Sequence, residues 1–175
     1  MTDSVWTFAR FAADFRLDDA PPALIARAKT FLLDSLGVGV VGSAAPWVDE
    51  LTAAEQALYG DGPARALASG ARLSAPSAAL VNAFQMHNSE FDCVHEAAVV
   101  HAFTCPLAAL LADVDARAHA RGRDLLAALI VGVEVACALG LASKAAMRFF
   151  RPATAGGLGA AAAIARLRGL DAAGV

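Results

Sequence analysis

The run 125-LLAALIVGVEVACALGLA-142 constrains this chain most, because Glu134 is its only charged residue. A segment this apolar must leave water, either in a bilayer or at the centre of a protein. Glu134 sits near its middle, where a membrane would make an ionisable group expensive. A helix buried inside a helical protein accommodates the run better. The chain is therefore expected to be all-α, with this segment at its core.

The remaining composition agrees with that expectation. Hydrophobic residues make up 58% of the 175 positions and charged residues 18%. A domain of this size cannot hide so much apolar surface alone, so part of it is expected to meet a partner chain or a further part of the polypeptide. The net charge of -3 gives no basic footprint for nucleic acid. Cys93, Cys105 and Cys137 are odd in number, contain no C-x-x-C pair and lie in apolar surroundings. They read as free thiols of a reducing compartment. The first residues, MTDSVWTFARFAADF, carry acids and no basic n-region, unlike a signal peptide. The chain reads as cytoplasmic, with neither membrane nor nucleic acid as a partner.

Helical signals recur along the whole chain. Trp6, Phe8, Phe11 and Phe15 mark one face of a helix over 4–15. Prolines 21 and 22 open a helix running to about Val41, whose end, 37-GVGVVGSAAP-46, permits close approach of a neighbour. A shorter amphipathic helix over 47–59 follows, then a loop over 60–77 with a short extended piece in ARALASG. The next helix begins at Pro76 with Ser74 as N-cap and is expected to continue to about Phe91. Residues 105–120 read as a helix, 121–124 as a turn, and Asp124 as the cap of the apolar helix, which is expected to reach about Ala146. Pro152 breaks the chain, and Thr154 is placed as the cap of a small-residue helix ending at Leu167 and Gly169. Asp171 reads as the cap of a further helix, an ending that suggests a truncated polypeptide. The expectation is one helical domain over 1–175, a multi-helix bundle.

Chemistry concentrates in 87-HNSEFDCVHEAAVVH-101, which holds three of the four histidines, two glutamates, one aspartate and one cysteine. Such a set can move protons to and from a small organic acid. His87, Asp92, His95 and His101 could alternatively ligate zinc or iron, although no H-E-x-x-H spacing is present. His87 could instead be a core histidine, His95 and Glu96 an exposed loop pair, and Asp92 a capping residue. Glu134 is expected to bond a neighbouring helix, and His119 to sit on a solvated helix end. The cysteine spacing does not suit an iron–sulfur cluster. The alanine–glycine run over 155–163 lacks the ending and the preceding strand of a phosphate loop, so it reads as a close helix contact.

Four segments, in order, resemble the N-terminal part of the MmgE/PrpD family. They are 34-DSLGVGVVGS-43, 79-ALVNAFQMHNSEFD-92, 122-GRDLLAALIVGVEV-135 preceded by His101, and 149-FFRPATAGGLGAAAAIARLRGLD-171. The family includes 2-methylcitrate dehydratase, cis-aconitate decarboxylase and an iminodisuccinate epimerase. The resemblance implies the N-terminal portion of a large helical domain, without the family's α+β lid, in a dimerising protein. It implies a cofactor-independent, metal-independent lyase, foremost a hydro-lyase acting on a small polycarboxylate such as 2-methylcitrate. An epimerase on the same scaffold is one alternative, and a non-catalytic helical dimerisation module is another.

Residue by residue, the resemblance places Glu90 and Asp92 at the first two acids of the family's D-F-D-D-T. Cys93 and Val94 depart from the rest of that motif. His101 matches a histidine that serves in proton transfer. The histidine of the family's F-H-P-T is absent, and Phe150 or Arg151 stands in its place. His101, Asp92 and Glu90 are thus the expected catalytic residues. Arg151, His87 and His95 are expected to bind substrate, Arg151 by gripping a carboxylate with two hydrogen bonds.

Overall fold

In the computed structural model, which describes residues 4–117, 120–143 and 150–175, helices dominate. They are α1 (Ser4–Asp14), α2 (Pro22–Gly42), α3 (Val48–Tyr59), α4 (Ala75–His87), α5 (Thr104–Arg117), α6 (Gly122–Ala142) and α7 (Arg151–Leu167). Two small antiparallel hairpins interrupt them. β1 (Ala64–Arg65) pairs with β2 (Arg72–Leu73), and β3 (Val94–His95) pairs with β4 (Val100–His101). The fold is all-α, as the periodicity predicts.

Helix α6 is the expected core helix. It is long and apolar enough to cross a membrane, but Leu126, Leu129, Val131 and Val135 are buried among the other helices. Glycine lets it approach α7: a Cβ at Gly132 would stand 2.8 Å from the Gly159 carbonyl oxygen and 2.9 Å from the Ala163 Cβ. This contact is what the alanine–glycine run provides. Helix α5 packs beside the pair, with Leu107 and Leu110 fully buried in a cluster that includes Met86 of α4 and Leu129 of α6. The end of α2 lies against α4, where a Cβ on Gly42 would run into the Gln85 carbonyl. Arg166 of α7 holds the end of α1 by donating to the Phe15 carbonyl at 2.8 and 3.1 Å.

Local chemistry explains most of the ends. The Ser74 hydroxyl accepts from the Ser77 N–H at 3.3 Å, so it caps α4 as expected. Gly169 adopts φ +67° after α7. Its N–H donates to Arg166 and the Leu170 N–H to Ala165, the paired bonds of a Schellman ending.

Several boundaries differ from the sequence expectation. Asp124 is not the cap of α6: Arg121 occupies that position and Asp124 lies in the first turn. There its negative charge still suits the helix N-terminus. Thr154 lies inside α7, donating to the Arg151 carbonyl at 3.1 Å, while Phe150 is the cap. Helix α6 ends at Ala142, the expected end near Ala146 lying outside the described residues, and α4 ends at His87 rather than near Phe91. Asp171 accepts from the N–H groups of Ala173 and Gly174 in a turn. Glu134 is exposed and forms no hydrogen bond or ion pair among the described residues, contrary to the expected helix-bridging role. His119 and Arg148 lie outside the described residues. Phe91, Val41, Leu33 and Trp47 are each more than 70% exposed, so a substantial apolar surface faces outward.

Candidate functional site

The site forms where the second hairpin returns the chain to the end of α4. His87 is the last residue of that helix. A turn follows in which the Glu90 N–H donates to the His87 carbonyl at 2.9 Å and Glu90 adopts φ +55°. A non-glycine residue rarely holds this left-handed conformation without local support. The chain then passes through Asp92 into β3. Pairing of Val94 with His101 across the hairpin brings His101 back beside the turn. Thr104 opens α5 immediately afterwards.

Asp92 is the hub. It is only 3% exposed. One carboxylate oxygen lies 3.1 Å from His87 Nδ1 and 3.0 Å from His101 Nδ1. The other accepts a short hydrogen bond from the Thr104 hydroxyl. An ionised carboxylate can only accept, so both imidazoles are held with the proton on Nδ1. That orientation turns both Nε2 atoms towards Glu90, whose carboxylate oxygens lie 3.5 Å from His87 and 3.4 Å from His101. The rings meet edge to face, with centroids 4.5 Å apart. Glu90 is more solvent-accessible, with its side chain 68% exposed. Two imidazoles therefore sit between a buried carboxylate and a wet one.

His87, Glu90, His101 and Thr104 line a cavity of about 380 Å³, whose other walls include Leu80, Phe84, Phe150 and Pro152, while Asp92 lies buried behind them. The volume suits a small ligand, with mainly apolar walls and polar groups gathered at one place. Phe150 settles which residue borders the cavity at the position of the absent family histidine. Its ring centroid lies 5.8 Å from that of His87.

Of the six residues singled out from the sequence, the structure brings together His87, Glu90, Asp92 and His101. It places Arg151 elsewhere. Its guanidinium donates to the carbonyls of Ala98 at 3.2 Å and Gly140 at 3.4 Å, fastening α7 to the hairpin loop and the end of α6. His95 is also apart. Its Nδ1 accepts from the Ala98 N–H at 3.1 Å, and it lines a second cavity with Arg27, Glu134 and Cys137. The alternating strand geometry sends neighbouring side chains to opposite faces, which explains why β3 does not deliver His95 to the cluster. Thr104 was missed by sequence reading, because a threonine near a helix start ordinarily reads as a cap.

The three cysteines are free. Burial pushes each thiol above its ordinary value, to about 11 for Cys137, where nearby Glu134 adds to the effect. None is therefore a ready thiolate nucleophile.

The model of the MmgE/PrpD N-terminal domain matches residues 7–175. The chain belongs to the MmgE/PrpD family. Among MmgE/PrpD relatives, a cis-aconitate decarboxylase-like protein, oryM, from Aspergillus oryzae is 31% identical over 92% of this chain and 36% of its own length. A cis-aconitate decarboxylase from Aspergillus terreus is 29% identical over 71% of this chain and 26% of its own length. One from Mus musculus is 31% identical over 94% and 35%, respectively. The chain thus spans about a third of the length of the relatives it matches.

Proposed function

We propose that this chain supplies the proton-transfer half of a lyase that acts on a small polycarboxylate. The observation carrying this reading is the buried Asp92 that holds both His87 and His101 through Nδ1 and directs their Nε2 atoms to the cavity end. An imidazole so fixed can deliver or accept a proton at Nε2 without first reorienting. Cis-aconitate is the first substrate to consider, because the relatives carry that activity in their names. In such a decarboxylation, the bond between carbon and the departing carboxylate breaks, and its electron pair stays on carbon. A proton from one imidazolium then closes the new C–H bond. His101 is assigned this donation. His87 is its partner in place of the absent family histidine, and Glu90 exchanges the proton with solvent.

The same constellation contains an acid and a base side by side, which dehydration of a hydroxy-polycarboxylate such as 2-methylcitrate also requires. A hydro-lyase is therefore the second reading. No arginine or lysine lines the cavity among the described residues, and Arg151 is engaged with backbone carbonyls. The substrate carboxylates must find their cations outside this lining. A homodimer and a site without a cofactor complete the proposal.

The test is a substrate screen on the full-length polypeptide with cis-aconitate, citrate and 2-methylcitrate, measuring carbon dioxide release and absorbance of unsaturated acids. Carbon dioxide from cis-aconitate is expected. An unsaturated product from 2-methylcitrate would favour the hydro-lyase, and turnover of none would remove the lyase reading. His101→Ala should retain its helical circular dichroism and lose about 10²- to 10⁴-fold in kcat, the usual contribution of a general acid or base.

A further inference from the structure

We propose that His87, Asp92 and His101 also bind one divalent transition-metal ion of the zinc class, and that its occupancy inhibits the protein. One nitrogen from each histidine and one Asp92 oxygen lie within 4.8 Å of one another. The nitrogen–oxygen approaches are 3.0 and 3.1 Å. Neighbouring ligands around a tetrahedral ion bound at about 2.0–2.2 Å stand roughly 3.3–3.6 Å apart, so a small rearrangement of the side chains would convert the hydrogen-bonded triad into a ligand set. Imidazole and carboxylate together suit zinc, cobalt or nickel better than magnesium or calcium.

The surroundings supply what such a site needs beyond its ligands. When Nδ1 binds the ion, the ring proton moves to Nε2, so a neutral imidazole stays neutral. Both Nε2 atoms already face Glu90, at 3.5 and 3.4 Å. Glu90 would accept from both rings and fix their orientation, as outer carboxylates do for metal-bound histidines. The Thr104 hydroxyl holds the remaining Asp92 oxygen in place. With Nδ1 coordinated and Nε2–H tied to Glu90, neither ring is available to shuttle a proton. The inhibition therefore rests on the lyase reading, whereas the binding does not.

The experiment titrates the chelator-treated full-length polypeptide with Co²⁺ and then displaces it with Zn²⁺. One Co²⁺ per chain is expected, with visible ligand-field absorption that Zn²⁺ abolishes. His87→Gln and Asp92→Asn should each weaken binding at least tenfold at unchanged circular dichroism, and His95→Ala should leave it unchanged. Absence of stoichiometric Co²⁺, or equal binding by His87→Gln, Asp92→Asn and the parent, would overturn the site. If the substrate screen succeeds, Zn²⁺ should suppress turnover and a chelator restore it. Bound Zn²⁺ with undiminished turnover would overturn the inhibition. A failed screen leaves the absorption readout intact, so the two readings fail separately.

Discussion

At Asp92, one buried carboxylate serves three donors, and the tautomers of two histidines depend on it. Replacing it with asparagine offers one carbonyl oxygen where two carboxylate oxygens stood, and places an NH₂ group against at least one donor. Asp92→Asn is expected to slow turnover by about 10- to 10⁴-fold, the lower end known for carboxylates orienting metal-bound histidines and the upper for one fixing the tautomer of a proton-transferring histidine. Steady-state kinetics in which kcat falls more than KM rises would show that orientation, rather than binding, was lost. Cys137 provides a different test at this scale. Its thiol is raised from 9.0 to about 11, first by burial and then by Glu134. A raised folded-state value contributes stability that is complete below the unfolded thiol's value and is lost as pH rises from about 9 towards 11. Iodoacetamide at pH 8 should modify Cys137 far more slowly in the folded protein than in urea, with mass spectrometry following the site. Equal rates would contradict its burial.

Among elements, the β1–β2 hairpin depends on a residue whose role sequence reading passed over. Asn82 on α4 is 1% exposed. Its amide donates to the Arg65 carbonyl at 3.1 Å and accepts from the Leu67 N–H at 2.8 Å. The hairpin has two residue pairs, too few to stand alone. Asn82→Leu leaves both backbone groups without these partners and is expected to cost about 2–6 kcal/mol, at about 1–3 kcal/mol per orphaned buried group. Urea unfolding would measure the loss, and a change below a few tenths would show that water replaces the amide. The β3–β4 hairpin is equally short, but its purpose is placement. It sets His101 against the end of α4 and leaves His95 on another face.

For the whole molecule, long-range ties decide how stability responds to acid. The Arg65 guanidinium donates to Asp115 at 2.7 and 3.0 Å, and that hydrogen bond holds the Asp115 carboxyl below its ordinary 3.8. A lowered folded-state value adds stability that is present above 3.8 and disappears as pH falls through the lower value. The pair joins β1 to α5 across 50 positions. Thermal melts of the parent and Asp115→Asn should therefore differ at neutral pH and converge as the buffer is acidified below the ordinary carboxylate value. The effect should be modest, because the arginine is largely exposed. A gap that persists unchanged in acid would assign the difference to something other than charge.

The apolar run over 125–142, the spaced aromatics of the first helix and the glycine signals by themselves determined an all-helical chain with α6 inside it. Burial of so much apolar surface has few other solutions. The cluster at 87–101 was legible as a place, and its family motifs named Glu90, Asp92 and His101. Only the tertiary structure decided which members meet. His87 and His95 look alike in sequence, yet strand direction and a left-handed turn at Glu90 send one to Asp92 and the other to a separate cavity. Arg151 looked free to grip a carboxylate, and packing of α7 against α6 instead gave it two backbone carbonyls to satisfy. Hydrophobic burial is written locally in periodicity, whereas the convergence of polar side chains depends on how distant segments pack, which a linear pattern does not record.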